Sequence, residues 1–212
     1  MATKRVDVKS FKPALMWRLG VLAVVAVTLA CVDQVAKVIA RAALSPAGTV
    51  GVQVLSGILN FELVYNDGAA FGLGEGYSIV FVALAVVMVA GTLIYLLRAP
   101  LVSRCEVVGL ALVCGGAVGN AIDRVAHGVV TDFIATAFID FPVFNIADIG
   151  ITVGVVVALI GFIFLSPANQ AARERAEEDR DRYEDSAIKN HRARKEGRRR
   201  QGGGASGTGG RS

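Results

Sequence analysis

The chain has 212 residues, 54% of them hydrophobic and 19% charged, with a mean hydropathy of +0.56, too apolar for an ordinary water-soluble domain and too poor in charge for disorder throughout. The net charge of +4 does not mark a nucleic-acid binder, because residues 1–165 carry 10 Lys+Arg against 10 Asp+Glu and the excess, 12 against 8, falls wholly within residues 166–212. Three cysteines (Cys31, Cys105, Cys114) and two histidines (His127, His191) supply neither a disulfide framework nor a metal-ligand spacing, so no metal and no cofactor are expected.

A basic segment, residues 1–14, precedes the uncharged run Leu19–Val32, which is followed at once by Asp33 and, one helical turn on, Lys37. At a spacing of four these two share a helix face and can pair. A basic start and the small residues around Cys31 also look like a cleaved leader, but three further apolar spans follow, and Cys31 reads as a helix residue. Val50–Leu55 alternates as a strand does, Ser56-Gly57 signals a turn, and Leu59–Tyr65 alternates again, which predicts a small sheet. It ends at Asn66-Asp67-Gly68-Ala69-Ala70-Phe71-Gly72, whose small residues permit tight turns and close approach of a backbone to a ligand.

Ser78–Leu97 is 20 residues without a charge, roughly 30 Å of helix and so the thickness of a bilayer's hydrocarbon core. Val107–Ile122 and Ile149–Leu165 are two more such runs, giving four membrane-spanning helices. Gly115-Gly116-Ala117-x-Gly119 places small residues through the third, which suits close helix packing. At its end Asn120 can stand beside both Asp123 and Arg124. Asp132 then falls in a loop, and Asn145 and Asp148 lie directly ahead of the fourth helix, where Asp148 reads as its cap.

Lys and Arg set the orientation. Lys4, Arg5, Lys9, Lys12 and Arg18 precede the first span, Arg98 and Arg104 lie between the second and third, and the Arg-rich tail follows the fourth. These segments belong inside, so both termini are cytoplasmic. The loops 42–77 and 123–148 carry seven acids against Arg124 alone and face outward. The tail, residues 166–212, is charged and then Gly-rich; it reads as mostly disordered, with some helix through Ala171–Tyr183, and as a solubilising extension more than a lipid-headgroup binder.

Ionisable groups at a bilayer edge are costly and mark a protein interior or cavity. Asp33, Lys37, Asp123, Asp132 and Asp148 all sit on the outward side. Two carboxylates close together do not both ionise, so such a pair is acid and base at once and can activate a water. Composition and spacing do not choose between Asp123 and Asp132 as partner of Asp148. A carrier or channel relaying protons through the same groups, or a membrane scaffold, are the rival classes; clustering of the polar groups at one face, rather than along a path, favours a reaction site.

Asp33-Gln34-x-x-Lys37, Asn66-x-Gly68-Ala69-Ala70-Phe71, Gly115-Gly116-Ala117-x-Gly119-Asn120-x-x-Asp123-Arg124, Val130-x-Asp132-Phe133-Ile134 and Phe144-Asn145-x-Ala147-Asp148 together resemble the lipoprotein signal peptidase (signal peptidase II) family, over roughly residues 15–165. The resemblance implies an aspartyl endopeptidase of the bacterial plasma membrane that cuts diacylglyceryl-modified prolipoproteins on the amino side of the lipidated cysteine, close to the extracytoplasmic face and among membrane phospholipids. It implies Asp132 and Asp148 as the catalytic pair, Asn66, Gly68, Asn120, Arg124 and Asn145 lining the site, Asp33 and Lys37 supporting it, and Asp123 beside Arg124 and Asn120. Ala36 stands where the family often has Ser, and residues 166–212 have no counterpart in its core.

Overall fold

The structure is a computed structural model that describes residues 13–44, 46–48, 50–68, 78–99 and 101–202. Among the described residues, four helices are long and apolar enough to cross a membrane: α1 (Leu15–Ala43), α2 (Ser78–Arg98), α3 (Arg104–His127) and α4, which runs from Ile146 to Ile160 and finishes in a π-helical turn, Gly161–Leu165. The protein is a multi-pass membrane protein.

α3 is the centre. Half of its apolar window is buried, against 11–17% for the other three helices, whose outer faces are Val, Ile, Leu and Phe. The small residues explain this. A Cβ at Gly109 would strike the Gly154 and Ala158 backbone of α4, one at Gly116 would strike Ala147, and one at Gly115 would come within 2.8 Å of the Ala26 carbonyl of α1. The apolar runs give the core of each helix but not its ends. α1 continues eleven residues past Val32, carrying Asp33, Lys37 and Arg41, and α3 continues past Ile122 to His127, where Gly128 closes it in the left-handed region at φ 80°.

The sheet has three antiparallel strands in the order β1 (Val50–Leu55), β2 (Leu59–Asn66), β3 (Val130–Thr136). The first hairpin is the expected one. The third strand corrects the expectation of a loop around Asp132: residues 130–135 are all buried, so both strand faces are covered and the alternation that betrays a half-exposed strand is missing. Leu63, Phe133 and Ile134 pack on Ala40 and Leu44 of α1, which fixes the sheet to one end of the bundle.

The chain divides into two compact units, Met1–Ala168 and Asn169–Ser212. Helix α5 runs over Pro167–Gly202, further in both directions than the expected stretch Ala171–Tyr183. Its Ala, Arg and Glu are strong helix formers, and within residues 178–184 the pairs Arg180–Glu184 (3.6 Å) and Glu178–Arg182 (3.7 Å) add i, i+4 contacts. Its Tyr183 and Ile188 are exposed. The Gly-rich end 203–212, most of the basic N-terminal segment (1–12) and the turn residues 69–72 lie outside the described residues.

Candidate active site

At the sheet end of the bundle, α1 presents an inward stripe at a spacing of four: Asp33, Lys37, Arg41. Lys37 is fully buried; its Nζ lies 2.8 Å from Asp33 Oδ2 and 3.6 Å from Asp123 Oδ2, and it donates to Asn120 Oδ1 at 2.8 Å. Asp33 in turn accepts from the backbone N–H of Ala147 at 2.9 Å, tying α1 to the first turn of α4. A buried ammonium with two carboxylates and an amide oxygen around it is satisfied.

The helix start itself corrects the expected cap. Asn145, not Asp148, is the N-cap of α4: its Oδ1 accepts from Asp148 N at 3.0 Å, and Asp148 Oδ2 accepts from Asn145 N at 3.1 Å, a reciprocal capping box. One oxygen of Asp148 is thereby held, and the other, Oδ1, accepts from Asn120 Nδ2 at 2.8 Å. Asp132, 2% exposed on β3, accepts at Oδ1 from Asn145 Nδ2 (2.6 Å) and at Oδ2 from Asn66 Nδ2 (2.9 Å). Asn145 thus touches both carboxyl groups. Burial pushes the Asp132 carboxyl up to about 6, the Asp148 charge adds to this, and the Asn66 and Asn145 amides pull against it.

Asp132, Asp148, Asn66, Gly68, Asn120 and Arg124 line one cavity of about 670 Å³, whose remaining wall is largely apolar, from Phe81, Leu84 and Met88 of α2 to Ile151 of α4. Arg124 Nη2 donates to Gly68 O at 2.7 Å, and its guanidinium lies 4.7 Å from the Phe81 ring centre.

Asp123 does not join this group. It turns to the other side of α3, accepting from Thr131 N at 2.9 Å and lying 3.5 Å from Arg41 Nη1 and 3.6 Å from Lys37 Nζ, through which it meets Asn120. Residues 120 and 124 share the cavity face of α3, whereas 123 is rotated towards α1 and β3.

Two participants went unnamed in the sequence. Arg41 continues the Asp33/Lys37 spacing by one more turn, a signal that was present, whereas Phe81, inside an uncharged run, gave none. Gln34, quoted only as part of the first motif, donates from Nε2 to Gly119 O at 3.0 Å.

The family model described as signal peptidase (SPase) II matches residues 25–164. A lipoprotein signal peptidase of Symbiobacterium thermophilum is 45% identical over 149 residues, covering 68% of this chain and 90% of that protein; one of Gloeobacter violaceus is 38% identical, covering 72% and 83%. A solved structure described as a bacterial membrane enzyme, obtained by the in meso method, superposes with a TM-score of 0.62 at 32% identity over 68% of this chain and 88% of that one. The match covers the helices and strands that build the cavity. The chain belongs to the signal peptidase II family and is a membrane-embedded endopeptidase.

Proposed function

We propose that the protein cleaves the signal peptide from diacylglyceryl-modified prolipoproteins, on the amino side of the lipidated cysteine, with Asp132 and Asp148 as the catalytic pair. The observation that carries this reading is that, among the acids of the described residues, Asp132 (buried) and Asp148 (half-buried) alone line this cavity together. Asp148, at the start of α4 where helix N–H groups favour negative charge, is the base that takes a proton from water as the water oxygen attacks the scissile carbonyl. Asp132, raised towards 6 by burial, holds the pair's other proton and delivers it to the carbonyl oxygen. The tetrahedral diol then loses its C–N bond as the leaving nitrogen takes the proton now on Asp148 and one diol hydroxyl returns its proton to Asp132 while the C=O re-forms, which restores the starting protonation.

Arg124, Asn120, Asn66 and Gly68 are in reach of a substrate backbone, and Asn145 orients both acids. Asp33, Lys37 and Asp123 hold the scaffold. The apolar wall from Phe81 to Ile151 suits the greasy stretch of a signal peptide entering from the lipid phase of a bacterial plasma membrane. Lys and Arg near the spans support a topology with both termini cytoplasmic and the pair near the extracytoplasmic face, with residues 15–165 as the peptidase unit and residues 166–212 as an accessory. Incubation of the purified protein in detergent with a diacylglyceryl-modified prolipoprotein yields the shortened protein with the lipidated cysteine at its new N-terminus, read by mass spectrometry. A cut elsewhere, or equal cleavage of the unlipidated precursor, would overturn the substrate assignment.

A further inference from the structure

Behind the cavity, on the far side of β3, Arg41 Nη1 donates to Thr131 Oγ1 at 2.7 Å and lies 3.5 Å from Asp123 Oδ1, while Thr131 N donates to Asp123 Oδ2 at 2.9 Å. Thr131 is 1% exposed and is the chain neighbour of Asp132. Neighbouring residues of a strand point to opposite faces, so what grips Thr131 from α1 and α3 decides where Asp132 points. The sheet alone does not fix this. The β2–β3 pairing shifts register between Phe61 and Val64, opposite Ile134 and Asp132, and a bulge at that place weakens the ladder where the carboxyl is carried. A slip by one residue would turn Asp132 away from Asn66 and Asn145.

We propose that Arg41, through Asp123 and Thr131, is a positioning residue that locks β3 so that Asp132 is delivered into the cavity. This rests on Asp132 being half of the catalytic pair. Arg41 stands apart from the cavity lining, so it acts through the strand and not on substrate. A single guanidinium nitrogen, Nη1, faces both the hydroxyl and the carboxylate, and a lysine ammonium keeps the charge on a flexible stem without the fixed planar geometry that places it there.

The full chain in detergent, assayed on lipidated prolipoprotein, tests this with Arg41→Ala, Arg41→Lys, Thr131→Val and the double variant Arg41→Ala/Thr131→Val. Arg41→Ala is expected to lower kcat about a hundredfold, the loss that a misplaced catalytic group brings, with KM changed by less than about twofold and the melting temperature nearly unchanged. Thr131→Val should do the same, the double variant no worse than either single one, and Arg41→Lys should regain part of the rate. Arg104→Ala, which removes a cation stacked 5.7 Å from the Trp17 ring at the opposite end, should turn over normally. A kcat unchanged in Arg41→Ala, effects that multiply in the double variant, or a rate that falls only as far as the folded fraction falls would each overturn the proposal. Asp132→Asn assayed alongside separates the failures: full activity there removes the catalytic assignment itself, whereas an inactive Asp132→Asn beside a fully active Arg41→Ala removes only the lock.

Discussion

Both ends of the four-helix bundle bury charge, and they use it differently. At the end away from the sheet, Arg18, 2% exposed, donates to Pro13 O (2.9 Å), Leu96 O (3.2 Å) and Ala99 O (3.0 Å), closing the last turn of α2. Glu106 accepts from Tyr95 OH at 2.6 Å and from Ser103 N at 2.9 Å, while the Ser103 hydroxyl caps α3 in return. These groups satisfy helix ends and line no part of the cavity. At the sheet end a similar capping box, Asn145 with Asp148, also satisfies a helix end, yet there the carboxylate opens on the cavity and a second one is brought beside it on a strand. A buried charge in a membrane bundle is therefore no mark of a site by itself; a buried charge with a free approach is.

Substitution separates the two ends most sharply. Asp132→Asn or Asp148→Asn should cut turnover by about a thousandfold or more, because each keeps the side-chain shape but removes half of the proposed acid–base couple and one of the two hydrogen bonds its carboxyl accepts. Glu106→Gln, the matched change at the other end, should leave turnover intact and cost about 1 kcal/mol of stability through the weakened cap. A detergent assay of cleavage beside thermal melting reads both; equal loss of turnover at the two ends would erase the distinction. Arg124→Lys comes next, with kcat/KM down about tenfold to a hundredfold, since a lysine does not reach Gly68 O and lie over Phe81 at once. Normal turnover would return Arg124 to a purely structural part.

The pH dependence is a smaller effect with a definite sign. Asp132 takes up its proton near 6 when folded, above the ordinary 3.8, so the folded state binds the proton more tightly than the unfolded chain does. This contribution to stability is full below about 4, and is lost as pH rises through 6. Melting of the wild type should therefore fall relative to Asp132→Asn between those values and run parallel above them. Cleavage should show an alkaline limb with its midpoint at or above 6, where the pair gives up its shared proton; a rate still rising at pH 8 would contradict this. Deleting residues 170–212 should change detergent activity least of all. Complete loss there would make α5 part of the enzyme.

The sequence made the spans and the first hairpin legible because uncharged runs and strict alternation are long-range, redundant signals. Asp33 with Lys37 was legible for the same reason, a spacing of four on one face. What escaped depended on surroundings. Strand β3 is covered on both sides and so lacks a period, and a linear motif, Asp123-Arg124, does not say that its two members leave the helix in different directions. Helix in the tail was underestimated because local propensity, not a core, sustains it. The choice of Asp132 over Asp123 came from resemblance; the fold supplies a physical reason, since only Asp132 meets the cavity.

Asn120 gives the site a polarity. Lys37 Nζ is a donor only, so it claims Asn120 Oδ1, which also accepts from Asn145 Nδ2 at 3.1 Å. The amide is then left with one orientation, its NH₂ towards Asp148. Asn66 and Asn145 likewise turn their NH₂ groups to Asp132. Every side-chain amide that meets the two acids therefore gives a hydrogen and none offers a lone pair, so a proton resting on either carboxyl has no protein acceptor among these amides and is directed towards the cavity or the other acid. An ammonium one helical turn beyond Asp33, set apart from the cavity lining, in this way sets the direction in which a proton on the pair faces, and a neutral residue at position 37 would free the amide to turn over and offer the pair an acceptor instead.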